Sequence, residues 1–232
     1  MFPSHDPAGI TDPDFSTNYT SSLTGDMTIS FGAVNGIDYV GVAGLNIGDY
    51  QNYVASVQVF NGTTLVAQNN LVRNNCVLIN FDTRNFTDLV VKINNGNNFS
   101  QPRVSFIAAG VSFEVPNNGE NSGYNRQFLN RNFKAKTTIN DIAAPTAYLK
   151  KKVAANGRLS LPNMTREFSE TTYQFFLDFA IDNYFFIREQ DGIEDNSSAY
   201  LCYELSKNQV SAHSQTRSLN NISFSFKVFN GL

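Results

Sequence analysis

Residues 37–68 read IDYVGVAGLNIGDYQNYVASVQVFNGTTLVAQ, and this stretch decides the class of fold. Val57 and Val59 alternate with polar residues, which is the period of a half-buried β-strand. Asn61-Gly62 follows directly, and this dipeptide favours the type I′ turn of a β-hairpin. The return strand is expected to begin at Leu65. The stretch therefore predicts a strand, an exposed loop, a strand, a tight turn and a further strand.

Alternation of the same kind recurs along most of the chain. In the first half, turn residues rather than helical periods separate the alternating runs. The predicted strands cover residues 27–31, 77–82, 89–93, 104–115 with a bend at Gly110, 134–139, 147–153, 184–187, 198–205 and 221–229. A chain of this pattern is expected to be built from antiparallel sheets.

One segment of the second half has helical spacing instead. Its apolar residues recur at intervals of three, four and seven, namely Phe168, Phe175, Phe176, Phe179 and Ala180. This spacing predicts one amphipathic helix that packs its Phe face on a sheet. Ser169 is the expected N-cap, Glu170 complements the positive helix end, and Asp182-Asn183 ends the pattern.

The predicted fold class is mainly β, with two domains. Residues 26–116 are expected to form an antiparallel jelly-roll β-sandwich, and residues 126–232 a small β-barrel or sandwich with one amphipathic helix. Residues 117–125 contain no apolar side chain except Tyr124 and are predicted to be the linker. Residues 1–25 hold three prolines and many small polar residues, which favours an extended arm that lies on the body or on a neighbour.

Composition and charge exclude several classes of partner. The net charge is −3 and the isoelectric point is near 5.4, whereas nucleic acids and anionic membranes attract basic surfaces. Cys76 and Cys202 lie far apart and belong to no CxxC or Cys/His cluster, so no zinc site is expected and both are predicted to be free thiols. No signal peptide or membrane span is recognised, which predicts synthesis in the cytosol.

The residues do not suggest an enzyme or a cofactor. The two histidines, His5 and His213, stand outside any nucleophile or metal motif. The loop at residues 190–196 is a weak calcium candidate against a plain polar turn; its acidic residues are Asp191, Glu194 and Asp195. The lysines at 150–152 alternate between the faces of a strand, so a solvated or inter-subunit edge is expected rather than a basic groove.

The loop before the second strand is the first candidate for a binding surface. It combines aromatic, amide and carboxylate side chains, namely Asn46, Asp49, Tyr50, Asn52 and Tyr53. Aromatic faces stack on sugar rings and amides bond sugar hydroxyls, but exposed Tyr and Asn are equally typical of protein–protein contacts. Both interpretations stay open for this loop.

Taken together, the two halves resemble virion proteins of tailed phages. Residues 37–48, IDYVGVAGLNIG, before the strand at 54–60 resemble a discoidin or galactose-binding-like jelly roll. The second half is similar to the tail-tip β-barrel of distal tail and minor tail proteins. The motifs that carry this similarity are the helix, the aromatic strand Tyr184-Phe185-Phe186-Ile187, the acidic turn at 191–195, the Tyr200-Leu201-Cys202 strand and a final alternating strand.

The resemblance implies a structural role in the virion. It implies a homo-oligomeric ring at the tail tip that joins the tail tube to the adsorption apparatus, with other tail proteins as partners. The alternative is a carbohydrate-binding module that decorates the virion or engages host-surface glycans through the 46–53 loop. The expected location is the virion tail.

Overall fold

A computed structural model of the chain describes residues 19–20, 25–45, 55–71, 76–94, 102–112, 133–139, 145–152, 155–188, 199–212 and 219–229. The chain divides into two compact units. The first contains Met1–Glu114, Phe186–Leu201 and Gly231–Leu232, and the second contains Val115–Phe185 and Cys202–Asn230. The predicted linker at 117–125 lies outside the described residues, so its placement stays a prediction.

The described residues are mainly β, which confirms the predicted fold class. The strands are β1 (Tyr19–Thr20), β2 (Met27–Ser30), β3 (Val34–Ala43), β4 (Ala55–Asn61), β5 (Thr64–Leu71), β6 (Cys76–Phe86), β7 (Leu89–Asn94), β8 (Arg103–Val104), β9 (Phe106–Gly110), β10 (Phe133–Ile139), β11 (Pro145–Lys152), β12 (Ala155–Thr165), β13 (Phe185–Arg188), β14 (Ala199–Ala212) and β15 (Leu219–Val228). The helices are α1 (Arg166–Glu170) and α2 (Thr172–Ala180). Every strand pairing whose register is described is antiparallel.

The first unit contains a jelly-roll-like sandwich of two sheets. One sheet has the strand order β2-β7-β4-β5 and the other the order β6-β3-β9, so the chain passes repeatedly from one sheet to the other. Alternate residues of both sheets meet in a single core, whose members include Met27, Ile29, Val40, Val42, Val57, Val59, Val77, Ile79, Leu89, Val91, Ile93 and Ile107. Burial of each such side chain stabilises the fold by about 1.5–3 kcal/mol.

The β4–β5 hairpin is present as predicted, but its turn is not the predicted one. Asn61 pairs with Thr64, so the two turn residues are Gly62 and Thr63. Of these two, Gly62 has a positive φ of 59°. A glycine with positive φ at the first central position is typical of a type II′ turn, so the predicted type I′ turn centred on Asn61-Gly62 is wrong.

Asn61 ends the strand because its side chain holds the neighbouring connection between β6 and β7. Its Oδ1 accepts hydrogen bonds from the backbone N–H and the hydroxyl of Thr87, both at 2.9 Å. The Gly62 N–H donates to the carbonyl of Asp88 at 2.8 Å. Two turns at the same end of the sheet therefore satisfy each other's backbone groups.

The strand predicted over residues 104–115 is shorter and is interrupted elsewhere. It breaks at Ser105, between β8 and β9, and ends at Gly110 instead of bending there. Ser105 lies against Gly44, which has a φ of +73° and no room for a Cβ atom because the Ser105 side chain occupies that space. The Ser105 N–H donates to the Ala43 carbonyl at 3.0 Å.

Part of the predicted N-terminal arm is described. β1 pairs with β8 of the same chain, with Tyr19 opposite Val104 and Thr20 opposite Arg103. Residues 1–18 lie outside the described residues. The end of the arm that is described therefore lies on the body of its own chain.

A segment from late in the sequence also belongs to the first unit. Phe186 lies over Gly41, where a Cβ atom would collide with its ring, and it stacks on Phe106 with 6.1 Å between ring centroids. Arg188 Nη1 donates to Asn80 Oδ1 at 3.2 Å. The glycine at position 41 thus provides the space that an aromatic ring fills.

The second unit includes most of a sheet with the strand order β12-β15-β14-β13. β12 was missed from the sequence because it contains Pro162, which cannot donate to a strand ladder. The register shifts between Leu161 and Met164, and Asn163 has a φ of +58° there. The proline is therefore accommodated at a bulge.

β15 is an inner strand of this sheet. It pairs with β12 on one side and with β14 on the other. β10 and β11 form a separate two-stranded sheet.

The predicted helix exists, but it begins earlier and is broken. Thr165 is the N-cap, since its hydroxyl accepts from the Phe168 N–H at 3.1 Å. Ser169 lies inside α1 and donates to the Thr165 carbonyl, so the predicted Ser169 cap is wrong. Glu170 lies in the last turn of α1, immediately before Thr171, the N-cap of α2, and its carboxylate pairs with Arg166. The predicted end is confirmed, because Asn183 Nδ2 donates to the Phe179 carbonyl at 2.9 Å.

Gly44→Ala is expected to destabilise the sandwich more than Gly36→Ala. Both glycines have positive φ, and an alanine there costs about 1–2 kcal/mol of conformational strain. At Gly36 nothing lies within 4 Å of the new methyl group, whereas at Gly44 the methyl collides with Ser105. Urea unfolding, monitored by circular dichroism, measures the decrease in the free energy of unfolding of each variant. Equal losses for the two variants would contradict the close contact with Ser105.

The stability of the protein is expected to fall at alkaline pH because of Cys76. Burial raises the pKa of this thiol well above its ordinary value, although a backbone hydrogen bond from Leu201 opposes the shift. As the pH rises, the thiol of the unfolded chain therefore loses its proton before the thiol of the folded chain does. The free energy of unfolding keeps its full value below about pH 8.5 and decreases above that pH by about 1.4 kcal/mol per pH unit. Urea unfolding at about pH 7.5 and 9.5 measures the difference. Cys76→Ala should remove most of it; an unchanged pH dependence in that variant would contradict the assignment.

Candidate functional site

The binding loop predicted from the sequence falls between two described strands. Its residues, Asn46, Asp49, Tyr50, Asn52 and Tyr53, lie outside the described residues. What is described is the approach to the loop: Leu45 is buried, and Gly44 is held against Ser105. The glycan and protein-contact interpretations of this loop both stay predictions.

The acidic turn with Asp191, Glu194 and Asp195 also lies outside the described residues, as do His5 and His213. Within the described part of the chain, no three His, Cys, Asp or Glu side chains come together as a possible metal site. Cys76 and Cys202 both lie outside a disulfide, as expected, and both are fully buried, whereas partial burial was expected. No helix among the described residues is long and apolar enough to cross a membrane.

The outer face of helix α2 carries aromatic side chains in solvent. Phe175 is 77% exposed and Phe179, one turn later, is 49% exposed. Ile181, which caps the helix, is 61% exposed. Large apolar groups that are adjacent and exposed mark contact surfaces more often than isolated ones do. We call Phe175 and Phe179, which lie four residues apart on the helix, the outer helix face.

The opposite side of α2 packs firmly inside the second unit. Tyr173, Leu177 and Ala180 are buried there. The Phe176 ring lies 5.6 Å from the ring of Phe224 and meets Phe185 edge-to-face at 5.1 Å. Aromatic pairs of this geometry add stability beyond the area they bury. Packing on the sheet therefore fixes the position of the helix, while its outer helix face is exposed to solvent.

The predicted helix face was therefore partly wrong. Phe168 and Ala180 are buried as expected, but Phe175 and Phe179 are exposed. The residues that do pack, Tyr173, Leu177 and Ala180, follow intervals of four and three, which also fit a helical stripe. The helix therefore has two apolar stripes, and the sequence does not show which of them is buried. The stripe with Tyr173 is buried because it packs on the aromatic rings of β15.

The helical segment that carries the outer helix face is acidic. Residues 165–183 contain one arginine and four acidic residues, a formal charge of −3. Arg166 pairs with Glu170 at 2.6 Å, and Asp178 accepts a hydrogen bond from Gln174 at 3.1 Å. Asp178 and Asp182 are both exposed. The surface is therefore both apolar and negatively charged.

The β10–β11 strand pair has the opposite charge. Its two strands contain five lysines and no acidic residue, the lysines being Lys134, Lys136, Lys150, Lys151 and Lys152. In the register, Lys134 lies opposite Lys151. Among the described strands, neither β10 nor β11 pairs with a third one.

A second polar and aromatic surface in this unit is already satisfied by its own contacts. Lys227 forms an ion pair with Glu204 and lies 5.9 Å from the centre of the Tyr203 ring. The hydrogen bond to Glu204 raises the pKa of Lys227. Tyr184 packs on Tyr203 at 5.6 Å. These groups bind one another, so the outer helix face is the stronger candidate.

The chain was also compared with known proteins. The comparisons covered protein-family models, curated proteins and solved structures, and none of the three found a match. The candidate surface is therefore interpreted from its own exposure, charge and packing.

Proposed function

We propose that this chain is a structural protein of a tailed-phage virion that assembles into a homo-oligomeric ring. In this proposal the ring lies at the tail tip, joins the tail tube to the adsorption apparatus and contacts other tail proteins. The sequence resemblance supports the virion and tail-tip assignment. The mainly β architecture agrees with it, although β-sandwiches serve many functions and the fold alone decides none.

The outer helix face is the observation that carries the assembly part of the proposal. Phe175 and Phe179 project from a helix whose other side is fixed by aromatic packing. Their positions are therefore set before any partner arrives, which lowers the entropic cost of association. Interface cores are enriched in aromatic residues, and their rims are polar. The aromatic centre and acidic surroundings of α2 match that composition.

A stable oligomer is expected from the purified chain. Light scattering should give a mass that is an integral multiple of 25.8 kDa, and negative-stain imaging should show closed rings. The protein should also be found in purified virions. A chain that stays monomeric at high concentration and is absent from virions would overturn the proposal. A glycan-array signal that is lost in Tyr50→Ala would favour the carbohydrate-binding alternative instead.

Deleting residues 1–17 is expected to weaken the oligomer while leaving the body folded. The deletion keeps the pairing of Tyr19 and Thr20 with β8, so the contacts of the described arm residues with their own chain are preserved. The removed part has too few apolar residues to form a core of its own. Far-ultraviolet circular dichroism should be unchanged and the mass from light scattering lower. An unchanged oligomer mass would contradict a role of the arm in assembly.

A further inference from the structure

We propose that Asn35-Gly36 and Asn61-Gly62 are latent deamidation sites, which the folded sandwich keeps from reacting. An asparagine followed by glycine is especially prone to this modification, because glycine carries no side chain that blocks the attacking backbone nitrogen. The chain contains six such dipeptides, at Asn35, Asn61, Asn95, Asn118, Asn156 and Asn230. The first two both contact residues 85–88, where β6 ends and leads into β7. We call these four residues the β6–β7 connection.

Deamidation is an intramolecular reaction of the backbone with the side-chain amide. Hydroxide removes the proton from the glycine backbone nitrogen, and this nitrogen attacks Cγ of the preceding asparagine. A bond forms between the glycine N and Cγ, the bond between Cγ and Nδ2 breaks, and ammonia leaves with a proton from water, which regenerates the hydroxide. Water then opens the succinimide ring at either carbonyl and gives aspartate or isoaspartate. The reaction therefore needs a free glycine N–H and an asparagine side chain that can turn towards it.

The fold removes both requirements at Asn61-Gly62. The Gly62 N–H donates to the Asp88 carbonyl at 2.8 Å, so an acceptor holds its proton. The Asn61 side chain is bound to the same connection, since its Oδ1 accepts from the N–H and the hydroxyl of Thr87 at 2.9 Å. The Asp88 N–H donates to this oxygen as well, at 3.4 Å. Attack on Cγ requires several of these hydrogen bonds to break together, and each is worth about two- to tenfold in an equilibrium constant.

The β6–β7 connection restrains Asn35-Gly36 through its backbone only. The Gly36 N–H donates to Asn85 Oδ1 at 2.9 Å, whereas the Asn35 side chain is exposed. The side-chain amide of Asn61, by contrast, is bound by the connection. We therefore expect Asn35 to react faster than Asn61 in the folded protein, and both to react more slowly than in the unfolded chain.

Isoaspartate at Asn61 would keep this end of the sandwich from closing again. Asn61 pairs with Thr64 in one neighbouring strand and with Leu89 in the other. Isoaspartate lengthens the backbone by a carbon atom, which disturbs the register of both pairings. Ends of sheets open locally at a lower free energy than the whole fold unfolds. Deamidation thus converts a transient opening into a permanent one.

The first test compares the folded protein with the chain unfolded in guanidinium chloride at the same mildly alkaline pH. Peptide mass spectrometry measures the rate at which each amide becomes a carboxylate, and an isoaspartyl methyltransferase assay detects the rearranged product. Asn35 and Asn61 should both react at least about tenfold more slowly in the folded protein, with Asn61 the slower of the two. Equal rates in the folded and unfolded protein would overturn the proposal.

Crossed substitutions test whether the β6–β7 connection acts on each site separately. Asn85→Ala removes the acceptor of the Gly36 N–H and should speed the reaction at Asn35 by about two- to tenfold, with Asn61 nearly unchanged. Thr87→Ala removes the hydroxyl that donates to Asn61 and should speed the reaction there by a similar factor, with Asn35 nearly unchanged. Variants that leave both rates as they are in the original protein would overturn the role of the connection.

Two controls separate a local effect from a general loss of stability. Asn85→Asp keeps an oxygen that can accept from the Gly36 N–H, so Asn35 should react as slowly as in the original protein. Asn156-Gly157 lies in β12 of the second unit, and its rate should be the same in every variant whose circular dichroism is unchanged. A folded variant in which all three dipeptides react faster would overturn the site-by-site assignment. The comparison of the folded and unfolded original protein needs no substitution and decides the protection by itself.

Discussion

The period of two in the strands is the constraint on which the sandwich depends. Val57 and Val59 in one sheet and Val40 and Val42 in the other point into one core because each strand alternates its faces. A shift of register by one residue would expose these side chains and bury their polar neighbours. The turns have to be compatible with that register, and the β4–β5 turn follows the Asn61–Thr64 pair.

Small residues decide how closely the pieces of the first unit approach one another. Gly44 leaves its Cβ position to Ser105, and Gly41 leaves space for the ring of Phe186. The backbone near the start of the predicted binding loop is thereby fixed by contacts and not by length alone. A rigid attachment of this kind suits the recognition role that the sequence predicts for residues 46–53.

The second unit uses aromatic residues in two different ways. Phe176, Phe185 and Phe224 pack with one another and hold helix α2 on its sheet. Phe175 and Phe179 on the other side of the same helix remain in solvent. Because the inner contacts fix the orientation of the helix, the exposed rings form a preorganised surface. Assembly proteins need surfaces of that kind, and this property connects the packing of the unit to the function that we propose.

Local patterns by themselves determined the mainly β class, most of the strands, the hairpin at residue 61 and the end of the helix, because alternation and turn chemistry act over a few residues. Tertiary structure decided the features for which local patterns allow more than one arrangement. The helix had two apolar stripes, and only the rings of β13 and β15 selected Tyr173 over Phe175. Likewise, Pro162 argued against a strand at β12, and only the pairing of β12 with β15 shows that the proline lies at a bulge. The exposed face, and with it the candidate site, depends on long-range contacts that no short window of sequence contains.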